Sequence, residues 1–267
     1  MCRDLLKRTI YMNILLVHAQ PEKTSLTHHL VNMAQELLTA QGHTVIQSDL
    51  YAMGWKAVFD GEDFPDRINT ERLSFIEESK HAFTHSRQTA DVEREQRKVQ
   101  AADAVIFLFP LWWFSMPAIM KGWIERVWAY GLAYGYKDKG NAHRYGEGAF
   151  RGKRALLAVS VGGPEGDYSK RGINGPLEQL LFPITHGTLF YTGMEVLPTF
   201  AVYGSGRIGT DALFEAEANW RSRLEGLFDD IPIPFRAQNA GDYPDRHVLS
   251  DHLAPGQQGL AVHIADT

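Results

Sequence analysis

The sequence predicts a doubly wound α/β fold, in which helices cover both faces of a mostly parallel sheet. Short, continuous apolar runs recur along the chain, as expected for strands that are buried on both faces. Between these runs lie segments whose apolar residues recur at helical spacing. Strands that alternate with helices in this way are typical of βαβ units, and therefore of a parallel sheet.

Five strands and five helices account for most of the chain. Ser25 or Thr24 is expected to be the N-cap of the first helix, and Thr210 the N-cap of the last. The residues between the second strand and the second helix are polar, and we expect them to be irregular. The predicted strands span residues 12–17, 44–47, 104–109, 155–161 and 196–202, and the predicted helices span residues 26–38, 91–102, 118–128, 177–189 and 210–227.

One domain is the simplest organisation for this chain. Residues 12–228 are expected to form it, with residues 1–11 as an N-terminal extension and residues 229–267 as an irregular, proline-rich tail. A core of this class needs only about 150 residues. The surplus lies in residues 49–90, 130–152 and 229–267, and long insertions of this kind often serve function or assembly.

The composition narrows the class of function. The 267 residues carry a net charge of −5, which argues against a surface for nucleic acid or anionic membrane. Cys2 is the single cysteine and cannot form an internal disulfide, so a reducing cytoplasm is the expected compartment. No stretch of eighteen apolar residues occurs, so we expect no membrane span.

An aromatic loop follows the third predicted strand. Pro110 is expected to end that strand, because it has no N–H group for strand pairing, and Pro117 is well placed to begin a helix. Between the prolines lie Trp112, Trp113 and Phe114, which cannot all point inward from a loop. In open α/β sheets, ligands bind beyond the carboxyl ends of the strands, and these rings would form a flat wall for a planar ligand.

Two further loops follow predicted strands at the same edge. The loop HAQPEKTSLT precedes the first helix, where N–H groups and hydroxyls can hold phosphate, although Thr24 and Ser25 also fit a purely capping role. In SVGGPEGDYSKRGING, Gly162 and Gly163 would allow close approach of the backbone to a ligand, and Tyr168 would add a hydroxyl. A flexible glycine-rich loop is the alternative interpretation.

Several other motifs carry little weight. Residues 204–209 match GxGxxG, but they follow the last strand rather than the first, and no strand ending in an acidic residue follows. His28 and His29 are adjacent and face different sides of a helix, so we expect solvated side chains and no metal site. No GxSxG elbow supports a serine hydrolase.

The segment PLWWFSMPAIMKGWIERV, the SVGG loop with Tyr168, LAYGY at residues 132–136 and SDLYAM at residues 48–53 together resemble the NAD(P)H:quinone oxidoreductases of the DT-diaphorase type. The similarity covers about residues 12–227. It implies a flavodoxin-like fold of five parallel strands, non-covalent FAD, NADPH or NADH as co-substrate, and a homodimer with two active sites at its interface. The tail would then pack at that interface.

The resemblance also implies roles for individual residues. The tyrosine–asparagine pair Tyr168 and Asn174 would be catalytic. The substrate pocket would be lined by Trp113, Phe114, Tyr134, Tyr136, Asn174 and Met194, the two tyrosines coming from the other subunit. The residues implied to bind FAD are Gln20, Thr24, Ser25, Leu26, Pro110, Leu111, Trp112, Trp113, Phe114, Ser160, Val161, Gly162, Gly163 and Tyr168.

The chain departs from the family pattern at four positions. Gln20 stands where the family often has a histidine, and a glutamine still donates a hydrogen bond. Asn174 replaces the active-site histidine and cannot take up a proton near neutral pH, so a His–Tyr proton relay is not expected. Met194 and Leu213 stand where some members have an aromatic residue and an arginine.

We therefore expect a cytoplasmic, dimeric FAD-dependent NAD(P)H dehydrogenase that passes a hydride through flavin N5 to quinones or similar planar acceptors, with ping-pong kinetics. One alternative is an FMN-dependent reductase of the same fold. The other is a flavin-binding regulatory subunit of a potassium-efflux transporter in the membrane.

Overall fold

The computed structural model describes residues 11–137 and 141–265, and for residues 136, 137 and 141–143 it describes the backbone alone. Its centre is a parallel sheet, and a small antiparallel hairpin lies apart from it. The strands are β1 Asn13–His18, β2 Thr44–Asp49, β3 Ala104–Pro110, β4 Gly135–Lys137, β5 Asn141–His143, β6 Arg154–Ser160, β7 Glu195–Val196 and β8 Phe200–Val202.

The order of the parallel strands confirms the predicted class. It runs β2-β1-β3-β6, and both β7 and β8 then pair with β6. The two short strands together fill the fifth position, where the sequence predicts one strand over residues 196–202. Pro198 lies between them and has no N–H group for the ladder, so the strand is interrupted there. An order of 2-1-3-4-5 is the flavodoxin type.

Helices cover both faces of the sheet. Alternate residues of β3 enter two cores: Val105, Phe107 and Phe109 join the core beneath α3 and α4, and Ala104 and Ile106 join the core beneath α1 and α7. The helices are α1 Leu26–Ala40, α2 Phe75–Thr84, α3 Ala90–Ala101, α4 Ala118–Val127, α5 Leu177–Leu180, α6 Phe182–Ile184 and α7 Thr210–Glu225.

The predicted helix caps had different outcomes. Ser25 is the N-cap of α1, and its hydroxyl accepts a hydrogen bond from the His28 N–H at 3.2 Å, as predicted. The prediction for Thr210 was wrong, because the N-cap of α7 is Gly209 and Thr210 is the first helical residue. On α3, Arg97 forms an ion pair with Glu93, one helical turn before it, at 2.8 Å.

The prediction that residues 49–90 are irregular was wrong for α2. This helix buries Glu78, Ser79 and Ala82, so its inner face is mostly polar, and its apolar residues Phe75 and Ile76 are exposed. The Glu78 carboxylate is satisfied by the N–H groups of Ile68 and Asn69, at 3.0 and 3.1 Å. Hydrogen bonds to a buried carboxylate, rather than apolar contacts alone, therefore join α2 to the preceding loop.

A buried arginine on α4 attaches the long segment of residues 49–90 to the rest of the domain. Arg126 on α4 donates to the carboxylates of Asp63 and Asp91, each at 2.7 Å. Its guanidinium lies 4.4 Å from the centre of the Trp55 ring. Removing this charge would leave two carboxylates without their partner, which typically costs about 3–5 kcal/mol for a buried pair.

The single helix predicted over residues 177–189 is broken. Two short helices, α5 and α6, are followed by a π-helical turn at Thr185–Leu189 and a 3₁₀ turn at Phe190–Thr192. Pro183 lies at the start of α6 and removes one helical donor, so a regular α-helix cannot run through this segment.

In its described residues, the C-terminal tail is irregular apart from a 3₁₀ turn at Leu260–His263, and it is anchored to the domain. Aromatic contacts join it to His186 of the domain, whose ring centre lies 5.1 Å from that of Phe235 and 5.7 Å from that of His263. A single bridge joins Phe235 to Ile264. None of the helices in residues 11–137 and 141–265 is long and apolar enough to cross a membrane.

We predict that His186 makes the stability of the protein fall in mild acid. Burial, together with His263, lowers the pKa of His186 from 6.5 to about 4. Between these values the unfolded chain binds a proton that the folded protein does not, so the free energy of unfolding decreases as the pH falls. After discounting for partial exposure, we expect a loss of about 1–2 kcal/mol between pH 7 and pH 5.

Denaturant unfolding at both pH values measures this loss. His186→Phe keeps a stacking ring without a titrating group and should lose less stability in acid than the wild type. The exposed His252, replaced by glutamine, is the matched control. An equal loss in the wild type and in His186→Phe would contradict the prediction.

Candidate active site at the carboxyl edge of the sheet

Four loops meet at the carboxyl edge of the parallel sheet. They follow β1, β3, β6 and β8, whose last residues point toward the same edge. The pairing of β3 with β6 sets two of them side by side, because Pro110 and Ser160 are partners in register. The Leu111 N–H then donates to the Ser160 carbonyl oxygen at 2.9 Å. This edge is the usual ligand position in open α/β sheets.

The loop after β3 forms a tight turn, which we call the aromatic turn (residues 112–115). Trp112 and Ser115 exchange two backbone hydrogen bonds, both 3.1 Å long. Trp113 and Phe114 between them have φ values of 51° and 60°. Two consecutive positive φ angles are the pattern of a type I′ turn, which normally requires glycine or asparagine.

Two large aromatic residues in this conformation are costly. The left-handed region costs about 1–2 kcal/mol for an L-residue that has a Cβ atom. The side chains recover little of this by burial, because Trp113 is 94% exposed and Phe114 is 47% exposed. In the described part of the chain, neither residue's N–H group has an acceptor. Strain, exposed rings and unused donors at one place indicate a binding surface.

Pro110 ends β3 as its last residue, one position later than predicted. Both it and the partly buried Leu111 lie at the base of the aromatic turn. Ser160 opposite them is 7% exposed, and its hydroxyl lies 2.9 Å from that of Thr27 on α1. Thr27 thus fixes the Ser160 side chain from below, and nothing in the sequence pattern distinguishes it from other helix residues.

The glycines after β6 leave room at the edge. Val161 is buried, and its N–H donates to the Val202 carbonyl at 2.8 Å. A Cβ atom on Gly162 would meet no heavy atom within 4 Å, whereas one on Gly163 would lie 3.2 Å from the Tyr168 ring. Among the described residues, no acceptor receives the N–H group of Gly162 or of Gly163. The backbone here offers donors beside open space.

Tyr168 and Asn174 lie at the two ends of a closed loop. Tyr168 ends a 3₁₀ turn at Glu165–Tyr168, and its ring centre is 5.7 Å from that of Tyr203. The Asn174 N–H donates to the Asp167 carbonyl at 2.9 Å, which returns the chain to the residue before Tyr168. Gly172 permits this closure, because a Cβ atom there would lie 2.2 Å from that same carbonyl oxygen.

The segment with the GxGxxG spacing braces this edge. Gly204 donates its N–H to the Gly163 carbonyl, and Ser205 donates to the Val161 carbonyl, both at 2.9 Å. Gly204 has a φ of 62°, and a 3₁₀ turn at Ser205–Arg207 follows it. The GxGxxG segment therefore has a structural role, because its backbone holds the loop that contains Gly162 and Gly163.

In the loop after β1, where the sequence predicts a phosphate site, the donors of Thr24 bind a carboxylate of the protein itself. Glu22 accepts hydrogen bonds from the N–H and the hydroxyl of Thr24, at 2.9 and 2.8 Å. These bonds lower the pKa of Glu22. Gln20 in turn accepts the Glu22 N–H through its side-chain oxygen at 3.1 Å. The donors of Thr24 thus already hold an anionic group of the chain itself, and Ser25 and Leu26 follow directly.

The residues predicted to line the substrate pocket do not all reach this edge in one chain. Tyr134 is half-buried, with its ring 5.4 Å from Tyr130 and 6.0 Å from Tyr191, and burial raises its pKa. Tyr136 lies in β4, and its side chain falls outside the described structure. Met194 is 1% exposed within the core, so its side chain does not face a pocket.

The expectation of solvated histidines on α1 was wrong for His28. His29 is exposed, but His28 is 9% exposed and its ring lies edge-to-face against His18 at 5.3 Å. His18, the last residue of β1, is 1% exposed, and burial lowers its pKa. The predicted first strand ends at residue 17, and the sequence pattern gave no indication that His18 and His28 pair.

Comparison with known proteins identifies the family. A family model described as a flavodoxin-like fold matches residues 12–224. A putative quinone reductase from Klebsiella pneumoniae is 50% identical, with a TM-score of 0.91 over 95% of this chain and 100% of that chain. This chain belongs to the NAD(P)H:quinone oxidoreductase family. It is an oxidoreductase, as the sequence predicts.

Two curated relatives show how widely the similarity extends. NAD(P)H dehydrogenase [quinone] 1 of Cavia porcellus is 39% identical over 85% of this chain and 82% of its own length. A ribosyldihydronicotinamide dehydrogenase-like protein of Penicillium crustosum is 47% identical over 94% of this chain and 95% of its own length. The similarity to this family member therefore includes most of the C-terminal tail.

We predict that the strain of the aromatic turn can be measured at Trp113. Its side chain is almost fully exposed, so removing it loses little packing. Because of the positive φ, Trp113→Gly should be more stable than Trp113→Ala by about 1 kcal/mol. At Trp112, where φ is negative, the order should reverse by about 0.5–1 kcal/mol. Urea unfolding of the four variants without ligand measures both differences, and the same order at both positions would contradict the prediction.

Proposed function

We propose that this protein is an FAD-dependent NAD(P)H oxidoreductase that transfers a hydride through flavin N5 to quinones or similar planar acceptors. The observation that carries the proposal is the aromatic turn, with its exposed rings and unused N–H groups next to the open glycine backbone. The relatives named as quinone dehydrogenase and quinone reductase support it. We infer that the flavin ring lies against this turn.

The residues at the edge fit a flavin ring. Trp112, Trp113 and Phe114 offer a broad apolar surface, and the N–H groups of the last two would meet its O4 and N5 edge. The N–H groups of Gly162 and Gly163 would meet the N1 and O2 edge, where the Tyr168 hydroxyl would also donate. Gly162 leaves space for this approach, since a side chain there would meet no protein atom.

When bound, the flavin would accept two electrons as a hydride and then pass them on. The protein supplies donors that are held in place before any charge develops at the N1 and O2 edge. The loop that carries the N–H groups of Gly162 and Gly163 is held by the hydrogen bonds from Gly204 and Ser205. Donors held in this way need little reorganisation, and such preorganised donors are usually the largest single contribution to catalysis. One surface that served the nicotinamide and the acceptor in turn would give ping-pong kinetics.

Tyr168 would work without a histidine partner. The neighbouring Asn174 is half-buried, and an amide can donate or accept a hydrogen bond but cannot carry a proton near neutral pH. We therefore assign Tyr168 the role of a hydroxyl donor to the developing negative charge, and Asn174 a polar contact with the acceptor. The proton that completes the reduced quinone would come from water or from Tyr168.

FAD is proposed over FMN because the chain has surplus residues that could hold an adenine. The diphosphate would bind the loop after β1, residues 19–25, which we call the phosphate loop. Residues 49–90 and the last helix are available to form an adenine pocket. The diphosphate would lie against Thr24, Ser25 and Leu26, and it would displace the Glu22 carboxylate from the donors of Thr24. The Ser25 hydroxyl caps α1 in the structure, and Glu22 would be the side chain that gives way to the diphosphate.

We also propose a homodimer in the cytoplasm. Trp113 is 94% exposed in a single chain, so the wall for a planar ligand is open on its outer side. A second chain would close the pocket, with Tyr134 and Tyr136 supplied by the partner and the 229–267 tail packed at the interface. The alternative role as a regulatory subunit of a membrane transporter finds no support in the names of the relatives reported above.

A visible spectrum and a steady-state assay test the proposed function. The purified protein should release FAD on acid treatment, identified by mass, and should oxidise NADPH or NADH with a soluble quinone. Parallel double-reciprocal plots are expected. Released FMN would overturn the choice of FAD, and activity with dihydronicotinamide riboside alone would overturn the choice of donor. Flavin that stays oxidised with every donor would contradict the reductase and favour the regulatory role.

For Tyr168→Phe, we predict that reduction of the bound flavin slows about ten-fold to a hundred-fold, as expected for one lost charge-stabilising donor. Anaerobic single-turnover mixing with NADPH measures this step. Tyr203→Phe removes a hydroxyl from the neighbouring ring and serves as the matched control. An unchanged rate in Tyr168→Phe would remove Tyr168 from the mechanism.

A further inference from the structure

Three potential metal ligands converge beside the loop after β1. His18 ends β1, Asp49 ends β2, and the parallel register pairs them directly. His28 approaches from the first turn of α1. One ligand atom from each of the three side chains lies within 4.8 Å of the other two. Both histidines are buried and Asp49 is half-buried, so the cluster faces solvent only on the aspartate side.

The hydrogen bonds of the rings leave one lone pair free on each histidine. His28 Nε2 lies 2.9 Å from the carbonyl oxygen of Gln20, which can only accept, so Nε2 carries the proton. His18 Nε2 lies 3.2 Å from the side-chain oxygen of Gln47, whose amide nitrogen donates to Gln35. Nδ1 is therefore unprotonated in both neutral rings.

One of these lone pairs has no partner among the residues that the structure describes. His18 Nδ1 is buried and without a hydrogen bond, although a buried acceptor left unsatisfied costs about 1–3 kcal/mol. On Asp49, one carboxylate oxygen accepts the Ala52 N–H at 3.0 Å. The other oxygen has no partner among the described residues, so it too is available. These unused acceptors point to a ligand that is a cation.

We propose that His18, His28 and Asp49 bind one divalent transition-metal ion of the class that prefers imidazole and carboxylate ligands. Two imidazoles and one carboxylate suit Zn²⁺ and its neighbours rather than Mg²⁺ or Ca²⁺, which prefer oxygen. Metal-ligating histidines almost always donate their second ring N–H to an oxygen acceptor, and both rings already do so here. A water molecule would take the open position on the aspartate side.

Ion binding requires a modest contraction of the cluster. Zn–N bonds of about 2.0–2.1 Å place tetrahedral ligand atoms about 3.3 Å apart, so the side chains move together by no more than about 1.5 Å. Asp49 is the most exposed of the three and has the most freedom to do this. The bound ion would connect the first turn of α1 to the ends of β1 and β2. Through the bond from His28 to Gln20, it would also stiffen the phosphate loop.

Variants that keep the outer hydrogen bonds test the site directly. His28→Gln keeps a side-chain N–H near the Gln20 carbonyl, His18→Gln keeps a donor near Gln47, and Asp49→Asn keeps the acceptor for Ala52. Each removes one metal ligand. His29→Gln, on the exposed side of the same helix, is the matched control. The full chain, with any flavin retained, is treated with a chelator and dialysed against Zn²⁺, and the bound zinc is measured by mass spectrometry.

The wild type and His29→Gln should take up one Zn²⁺ per chain, and their thermal midpoint should rise with Zn²⁺ concentration. The three ligand variants should bind at least about 100-fold more weakly, since loss of an outer partner alone costs up to that much. No uptake by the folded wild type, or equal affinity in folded ligand variants, would overturn the proposal. If one variant does not fold, the other two decide. Zinc uptake is independent of quinone turnover, so failure of one leaves the other standing.

Discussion

The parallel pairing of β3 with β6 is the interaction on which the candidate site depends. β3 is buried on both faces, and its alternate side chains enter the two cores that hold the helices. Because Pro110 and Ser160 are partners in register, the aromatic turn and the glycine backbone begin at the same level of the sheet. A shift of one residue would exchange the two faces of β3, so the cores hold the site in register.

The aromatic turn stores strain that the surrounding structure sustains. Its ends are tied by the paired hydrogen bonds of Trp112 and Ser115, the strand before it is buried, and α4 begins three residues after it at Ala118. Two aromatic residues with positive φ would not persist in a free loop. Their exposure in a single chain connects strain, ligand binding and assembly, because flavin and a second chain would both cover them.

The fold could be predicted because its core strands are apolar runs that lie between recognisable helices. The parts that could not be predicted are held by polar or local interactions. Helix α2 buries Glu78 rather than an apolar stripe, and Pro198 interrupts the fifth strand position without removing the apolar pattern around it. Hydrophobic periodicity does not report interactions of this kind.

The same limit applies to the site. The aromatic loop and Gly162 were visible from residue type and position after predicted strands. Thr27, Glu22 and the His18–His28 pair were not, because each depends on a contact between residues that are distant in sequence or on the conformation of one loop. Met194 shows the opposite error, since the resemblance assigned to the substrate pocket a side chain that lies in the core of this chain.

A crystal structure of the purified protein with its flavin tests the central claim most directly. The claim requires the isoalloxazine ring to contact residues 112–114, with the N–H groups of Gly162 and Gly163 at hydrogen-bonding distance from its N1 and O2 edge. A ring bound elsewhere, such as the cavity lined by Tyr145, His186 and Arg236, would contradict it. The claim would also be contradicted if flavin were bound and residues 112–114 remained exposed to solvent.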